Sequence, residues 1–285
     1  MLQGQGAWLF KAGLSDASVW GVLAWLAFGK LLFGLIWESV ASSGPVRVHR
    51  IFRISPDPGQ RGREILSSIH VFSDAIALFL LINFQLIRLA PSSVATTLTT
   101  FGVFYIWVEV LYYFTHRWMH EYDFLYKLHR SHHLSRVVTP LSSISMSWIE
   151  KCVFYTGGWL SFMAAISWFM PVSLSGIAAY YGFHFVISLH GHSNVETSRL
   201  GAVLAGRFSM GSATSHALHH ARFKVNYGFS CMLLDKLFGT YSADTAPLQQ
   251  RAINGRGVES FGEIRQLQAQ ADPQAGGPPV GSLSS

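Results

Sequence analysis

The sequence predicts an all-α integral membrane protein, with four to five transmembrane helices in hairpins and a cytoplasmic histidine-rich helical cap. Three observations carry this reading. Half of the 285 residues are hydrophobic and 13% are charged, well below the roughly one quarter of charged residues usual in soluble domains. Apolar runs of bilayer-crossing length recur from about residue 18 to residue 192 without a linker between them. Short polar segments carry most of the basic residues, and eleven of the 13 histidines lie between His116 and His220.

A tail over 1–17 precedes the first apolar run, 18–40. It holds a single Lys11 rather than a basic cluster, and no small-residue cleavage site follows the run, so a retained helix is expected rather than a signal peptide. Lys30 lies inside that helix and must either snorkel or face protein. The polar loop 41–68 carries Arg47, Arg50, Arg53, Arg61 and Arg63 around a Ser55-Pro56-Asp57-Pro58-Gly59 turn. Runs 69–90 and 94–115 form a hairpin turning at Pro91, and runs 152–170 and 172–190 form a second turning at Pro171. With the amino terminus outside, the basic loops share one side of the membrane, and only Lys11 and Arg88 lie near the other. The expected organisation is a tail over 1–17, a membrane domain over 18–245 and a carboxyl-terminal tail over 246–285, disordered after about residue 270, where Pro, Gly and Ser accumulate.

The net charge of +6 is spread over inter-helical loops rather than gathered on one amphipathic face, which argues against nucleic acid as a partner. Cys152 and Cys231 form no CxxC and sit in apolar surroundings, so buried thiols are expected, not metal ligands or a disulfide. No glycine-rich nucleotide loop and no nucleophile elbow is present.

Eight histidines fall into three patterns: HRWMH (His116, His120), HRSHH (His129, His132, His133) and HALHH (His216, His219, His220). Spacings of three and four bring side chains onto one face of a helix, so each pattern can present its imidazoles together. Lone histidines such as His49 and His70 read as hydrogen-bonded core residues. Two HxxHH patterns arise by chance in fewer than about one in a thousand such chains. Neutral imidazoles coordinate divalent metals, and eight or more exceed the roughly six positions of one octahedral ion, so two metals are the natural count. Structural zinc needs four ligands and usually recruits cysteine. Nitrogen ligands alone suit Fe, Zn, Cu or Ni; the position of the clusters at membrane-helix ends points to a redox metal acting on an apolar substrate in the bilayer.

HxxxH, HxxHH and HxxHH in this order, between membrane hairpins, resemble the fatty acid hydroxylase and sterol desaturase superfamily, as do His192-Ser193-Asn194, Asn226-Tyr227-Gly228 and the run from Asp235 to Tyr241. The resemblance covers roughly His116 to Tyr241. It implies a centre of two Fe ions, which Zn can replace in purified protein, with O2 as co-substrate and a lipid as substrate. It assigns the ligand role to His116, His120, His129, His132, His133, His192, His216, His219 and His220. Some members carry a further histidine where Ser188 stands here, which leaves His184 and His190 as possible additional ligands. At about 100 degrees per residue these two cannot both join His192 on one helix face. Of the carboxylates Glu121, Asp123, Glu150, Glu196 and Asp235, able to accept the second ring N–H of a ligand, Asp235 lies within the resembling segment.

The expected activity is hydroxylation or desaturation of a lipid, sterol, fatty acyl or related, with electrons from an external donor protein. The expected location is the bacterial inner membrane or the endoplasmic reticulum, with the histidines on the cytoplasmic side. The competing reading is a membrane metal-binding or metal-transport protein, which would place its ligands near the bilayer midplane on repeated halves. His120-Glu121 lacks the second histidine of HExxH, which argues against a metalloprotease.

Overall fold

The computed structural model describes residues 16–196 and 207–271. Lys11 and the Pro-Gly-rich run beyond Ala271 lie outside the described residues. Those residues are helical, with no β-strand among them and only isolated bridges such as Leu89 with Val172.

Helix α1, Ala17–Ser42, begins where the Asp16 carboxylate accepts the Ser18 amide, satisfying one of the free N–H groups of the first turn. After a short α2, Gly44–Arg47, the expected polar loop folds in part as α3, Gln60–Ser67. A 3₁₀ turn over Ser68–Phe72 joins α3 to α4, Ser73–Asn83. Helix α5, Val94–Glu121, starts at a capping box in which the Ser93 hydroxyl accepts the Thr96 amide and the Thr96 hydroxyl accepts the Ser93 amide. It runs two turns past the expected end at residue 115, so His116 and His120 belong to the membrane helix itself. Helix α6, Asp123–His133, follows directly.

The second hairpin is less regular than its apolar run implies. A π-helical stretch, Glu150–Gly157, leads into α7, Gly158–Ile166, and α8 spans Leu174–Gly191. Among the described residues, three helices are long and apolar enough to cross a membrane by themselves: Ala17–Ser42, the continuous Gln60–Asn83 and Val94–Glu121. The second hairpin falls short because its first arm is broken by the π turn and its second carries His184, His190 and paired tyrosines.

The main core lies among α1, α4, α5, α7 and α8, around Leu26, Leu78, Phe104, Val108, Met163, Ile177 and Tyr181. The aromatic stretch of α5 packs helices together: Phe104 stacks on Tyr180 at 4.3 Å and Trp107 on Phe162 at 4.1 Å. Helices α5 and α8 approach so closely at Gly176 that a Cβ there would lie 2.4 Å from the Thr100 Cβ, the close contact that small residues permit between membrane helices. Phe28, Leu32, Leu35 and Ile36 of α1, and Leu98 and Ile106 of α5, face outward, an apolar surface suited to lipid. Lys30 faces protein. Its ammonium donates to the Ser143 carbonyl at 3.0 Å and only 8% of the residue is exposed.

A second core caps one end of the helices. It joins Ile51, Phe52, Val137 and Val138 to Ala213, Ala217 and Leu218 of α9, Ala213–Arg222, and to Leu248, Ala252, Val258 and Ile264. The last four belong to α11, Thr245–Ile253, α12, Phe261–Ala271, and their linker; a one-turn α10, Leu233–Leu237, precedes them. The chain beyond residue 245, expected to be a tail, therefore continues the cap through Ala271. The Arg222 guanidinium fixes it, pairing with Asp244 and donating to the Ile264 carbonyl at 2.9 Å.

The half-charged interior of the helix bundle is held by Asp74. It accepts from Lys151 at 2.6 Å, from the Thr156 hydroxyl at 2.7 Å and from the Tyr181 hydroxyl at 3.2 Å. Removing one side of a buried pair strands the other. Asp74→Ala is expected to destabilise the protein by about 3 kcal/mol, whereas Arg61→Ala, which breaks an exposed pair with Glu38 at 3.9 Å, should change it by less than about 1 kcal/mol. Thermal unfolding of the two variants in the same detergent checks the contrast.

Candidate metal centre

Four elements converge where the bundle meets its cap. Helix α5 ends with His116 and His120, α6 carries His129, His132 and His133, α9 carries His216, His219 and His220, and His192 caps the carboxyl end of α8. All nine are buried. They divide into two groups: His116, His120, His129, His133 and His219 in one, and His132, His192, His216 and His220 in the other. Within each group one ring nitrogen per residue lies within 4.8 Å of all the others.

The division follows helical geometry. Residues four apart are about 40 degrees apart around the axis, and adjacent residues about 100 degrees. The pairs His116/His120, His129/His133 and His216/His220 each stay within one group. His132 and His219, offset from those faces, cross to the opposite group from their own helix neighbours. The sequence pattern groups each cluster on one face; the structure splits two of the three clusters between two sites.

Most of the rings are anchored from behind. Nδ1 of His116 donates to the Tyr227 carbonyl at 2.8 Å, that of His132 to Ser145 at 2.8 Å, and that of His192 to Ser188 at 2.8 Å. Nδ1 of His219 donates to the Val225 carbonyl at 2.8 Å and that of His220 to Ser135 at 3.0 Å. His129 Nδ1 meets the Glu150 carboxylate at 2.6 Å. A carbonyl or carboxylate oxygen accepts only, so each of these nitrogens carries the proton and each Nε2 presents a lone pair to the interior.

The Nε2 atoms crowd together there. Separations are 2.9 Å for His129–His133, 3.2 Å for His133–His219, 2.8 Å for His192–His216, 3.2 Å for His216–His220 and 3.4 Å for His132–His192. For His132 and His192 both tautomers are fixed, so two lone pairs face each other with no proton between them. His116 Nε2 and His120 Nε2 are buried without a partner. Ligands held about 2.0–2.1 Å from one metal ion lie roughly 2.8–3.4 Å from their neighbours in octahedral or tetrahedral geometry, which matches these separations. The residues therefore fit a pair of metal ions. Burial, followed by repulsion from neighbouring imidazoles, favours the neutral ligand form: the His132 pKa falls to about 4, and those of His133, His216, His219 and His220 fall well below the ordinary value.

Other candidates lie elsewhere. His184 is outside both groups, its ring 4.7 Å from that of Trp159 and 4.8 Å from that of Phe229. His190 turns away to the Trp37 ring. His49 and His70 each bond a backbone carbonyl, of Ile253 and Met146. Cys152 and Cys231 are free thiols outside both groups. Among the carboxylates Glu150 touches a histidine directly. Asp235 bonds no histidine; it accepts the Tyr227 and Gly228 amides at 2.7 Å each and so holds the loop whose carbonyl anchors His116. At Gly228 a Cβ would lie 2.6 Å from the Asp235 carboxylate. Glu196 accepts the Thr214 amide at the start of α9, and Glu121 pairs with Arg117.

Glu64 is a positioning residue absent from the sequence reading. Buried beneath the cap, it accepts the Ser135 and Thr139 hydroxyls at 2.7 Å each, fixing the segment whose Ser135 carbonyl anchors His220. Its only sequence signal was a charge in a polar loop.

Residues 101–240 match the family model described as fatty acid hydroxylase. Among curated proteins, the chain is 26% identical over 240 residues to the very-long-chain aldehyde decarbonylase GL1-6 of Oryza sativa subsp. indica, covering 80% of this chain and 36% of that protein. It is 28% identical over 153 residues to the very-long-chain aldehyde decarbonylase CER1 of Arabidopsis thaliana, covering 51% and 24%. Protein CER1-like 2 of the same plant is 33% identical over 139 residues, 47% of this chain and 22% of the relative. The chain thus spans roughly a third or less of the length of these relatives. No solved structure matches it. The matched stretch contains all nine converging histidines, and over it the chain is similar to the fatty acid hydroxylase family.

Proposed function

We propose that this chain is a membrane oxygenase that uses O2 to hydroxylate or desaturate a lipid at a centre of two iron ions, drawing electrons from a separate donor protein. One observation carries the reading: nine buried imidazoles, most with Nδ1 anchored outward, converge on two sites without a thiolate. The five-histidine group would hold one ion and the four-histidine group the other. Iron bound there would supply O2 activation and attack on an unactivated C–H bond, chemistry that no protein acid or base provides.

The protein's own contribution is positional. The carbonyls of Tyr227, Ser145, Ser188, Val225 and Ser135 keep His116, His132, His192, His219 and His220 each in one tautomer and one orientation. The Glu150 carboxylate does the same for His129. The apolar faces of α1, α4 and α5 support a place in the bilayer, from which a lipid has a short path to the centre. The basic loop around Arg47–Arg53 and the cap lie near one another, which supports one shared side, read as cytoplasmic.

A transport protein would release its ion. The groups here are instead wholly buried and braced by backbone carbonyls, which favours a resident ion.

Protein purified in mild detergent should hold close to two metal ions per chain, iron or adventitious zinc. His192→Ala should lose one ion and nearly all turnover, whereas His190→Ala should keep both. Metal analysis of the three proteins beside product analysis under labelled O2 decides it; full activity with one ion per chain would end the two-metal reading. Glu150→Gln should weaken metal retention on the order of tenfold to a hundredfold, measured by competition with a chelator. Replacing Cys152 and Cys231 together by Ser should leave metal content unchanged. Accessibility labelling should place the Arg47–Arg63 loop and the cap on one side of the membrane and the Pro91 and Pro171 turns on the other, and opposite placement of the loop and the cap would overturn the topology.

A further inference from the structure

Helix α10, Leu233–Leu237, is too short to cross a membrane, yet its outer face is apolar. Leu233 and Leu237, four residues apart and so on one side of the turn, are 59% and 71% exposed, and Phe238 beside them is 44% exposed. Asp235 points the other way and is fully buried. Apolar residues scattered singly over a surface need no explanation; a contiguous group does.

The group continues the lipid-facing side of α5. The Phe238 ring lies 5.6 Å from the Phe114 ring and 5.6 Å from that of Tyr113. Phe114 in turn lies 6.1 Å from Trp118, an exposed residue. Along α5 the outward residues Leu98, Ile106, Val110 and Trp118 recur at multiples of four, one stripe that leads to this contact. Val94 begins α5, and about 30 Å of helix separates it from Phe114. The hydrocarbon core of a bilayer is about 30 Å thick. With α5 crossing that core, Phe114 falls at its edge and Trp118 just beyond, the level that favours tryptophan. Phe238 and the leucines of α10 are held at the same level. Lys236 stands among them, its ammonium 3.0 Å from the Ser209 hydroxyl on the exposed surface. Apolar side chains with a cation beside them suit a segment lying in the headgroup layer.

We infer that the outer face of α10, formed by Leu233, Leu237 and Phe238, rests in the boundary layer of the phospholipid bilayer, between the headgroups and the upper acyl chains. The bilayer is favoured over a second copy of the chain because the patch runs through Phe238, Phe114 and Trp118 into a surface that already faces lipid. The inner face of the same turn carries Asp235, which accepts the Tyr227 and Gly228 amides of the loop behind His116. One turn of helix thus joins the membrane surface to the loop that braces that ring. The inference rests on α5 crossing the bilayer and is independent of the reaction proposed above.

The test measures depth. Leu237→Cys, Ile106→Cys and Arg130→Cys are made singly in the full chain carrying Cys152→Ser and Cys231→Ser, labelled with an environment-sensitive fluorophore and reconstituted into phosphatidylcholine nanodiscs. The quenchers are a lipid nitroxide near the headgroup end of the acyl chain, another near its methyl end, and iodide in the water. Arg130, exposed on α6, is the reference for water, and Ile106, outward on α5, the reference for hydrocarbon. The shallow nitroxide should quench the Leu237 label about threefold more than the deep one, and iodide should quench it about threefold less than the Arg130 label. The inference fails if iodide reaches the Leu237 label as readily as the Arg130 label, which would leave the patch in water. It fails equally if neither lipid nitroxide nor iodide reaches the label, which would put protein there, a second copy or another segment of this chain. Strongest quenching by the deep nitroxide would place α10 inside the hydrocarbon and overturn the boundary position. The Ile106 label should be quenched best by the deep nitroxide; if it is not, α5 does not span and the inference falls with that premise rather than at α10. A single symmetric elution peak for each labelled protein shows that it is folded.

Discussion

Nine imidazoles buried at one place make demands that the rest of the molecule is arranged to meet. Each ring has two nitrogens, and in a dry interior neither can be left without a partner. Five backbone carbonyls from four segments and the Glu150 carboxylate take the outer nitrogens of six of the nine rings. The inner nitrogens then have nothing left to meet but each other, at separations of 2.8–3.4 Å, and a cation is what relieves that contact. The helices, the cap and the loops between them are the means of bringing acceptors to the back of each ring.

That demand accounts for several irregular features. The π-helical start of the second hairpin carries Glu150, the carboxylate that reaches His129, and π turns of this sort recur at functional sites. Helix α8 stops at Gly191, and the freed His192 turns back on the Ser188 carbonyl. Asn226, at φ 54 degrees, opens the loop whose Tyr227 and Gly228 amides Asp235 holds.

The cap is the second consequence. The rings of α9 point into the bundle while Ala213, Ala217 and Leu218 of the same helix face away from it. Something apolar must cover that outer face. The strand-like segment around Ile51 and Phe52 and helices α11 and α12 do so, tied down by Asn194 on Phe52 and by Arg222 on Asp244 and Ile264. Residues far apart in the chain, some of which read as a tail, therefore stabilise the helix that bears His216, His219 and His220.

Apolar runs longer than a bilayer is thick, broken by Pro91 and Pro171, determined by themselves that the chain is helical and membrane-suited, because hydropathy and period act locally. The spacing of HxxxH and HxxHH likewise marked eight of the nine histidines, since helical period is a property of the segment alone, while His192 came only from the resemblance. Tertiary structure decided how they divide. His132 and His133 are adjacent in the chain, yet they serve different groups, because the direction of a ring is set by which neighbouring helix it faces. It also chose Glu150 over Asp235 as the carboxylate that touches a histidine, and it made Glu64 a brace for the Ser135 segment. Five of the anchors are backbone carbonyls, which every residue possesses and no side-chain pattern announces. Lys30 shows the same division: its charge in an apolar helix was legible, while the carbonyl it bonds is in reach only once α1 packs against the Ser143 turn.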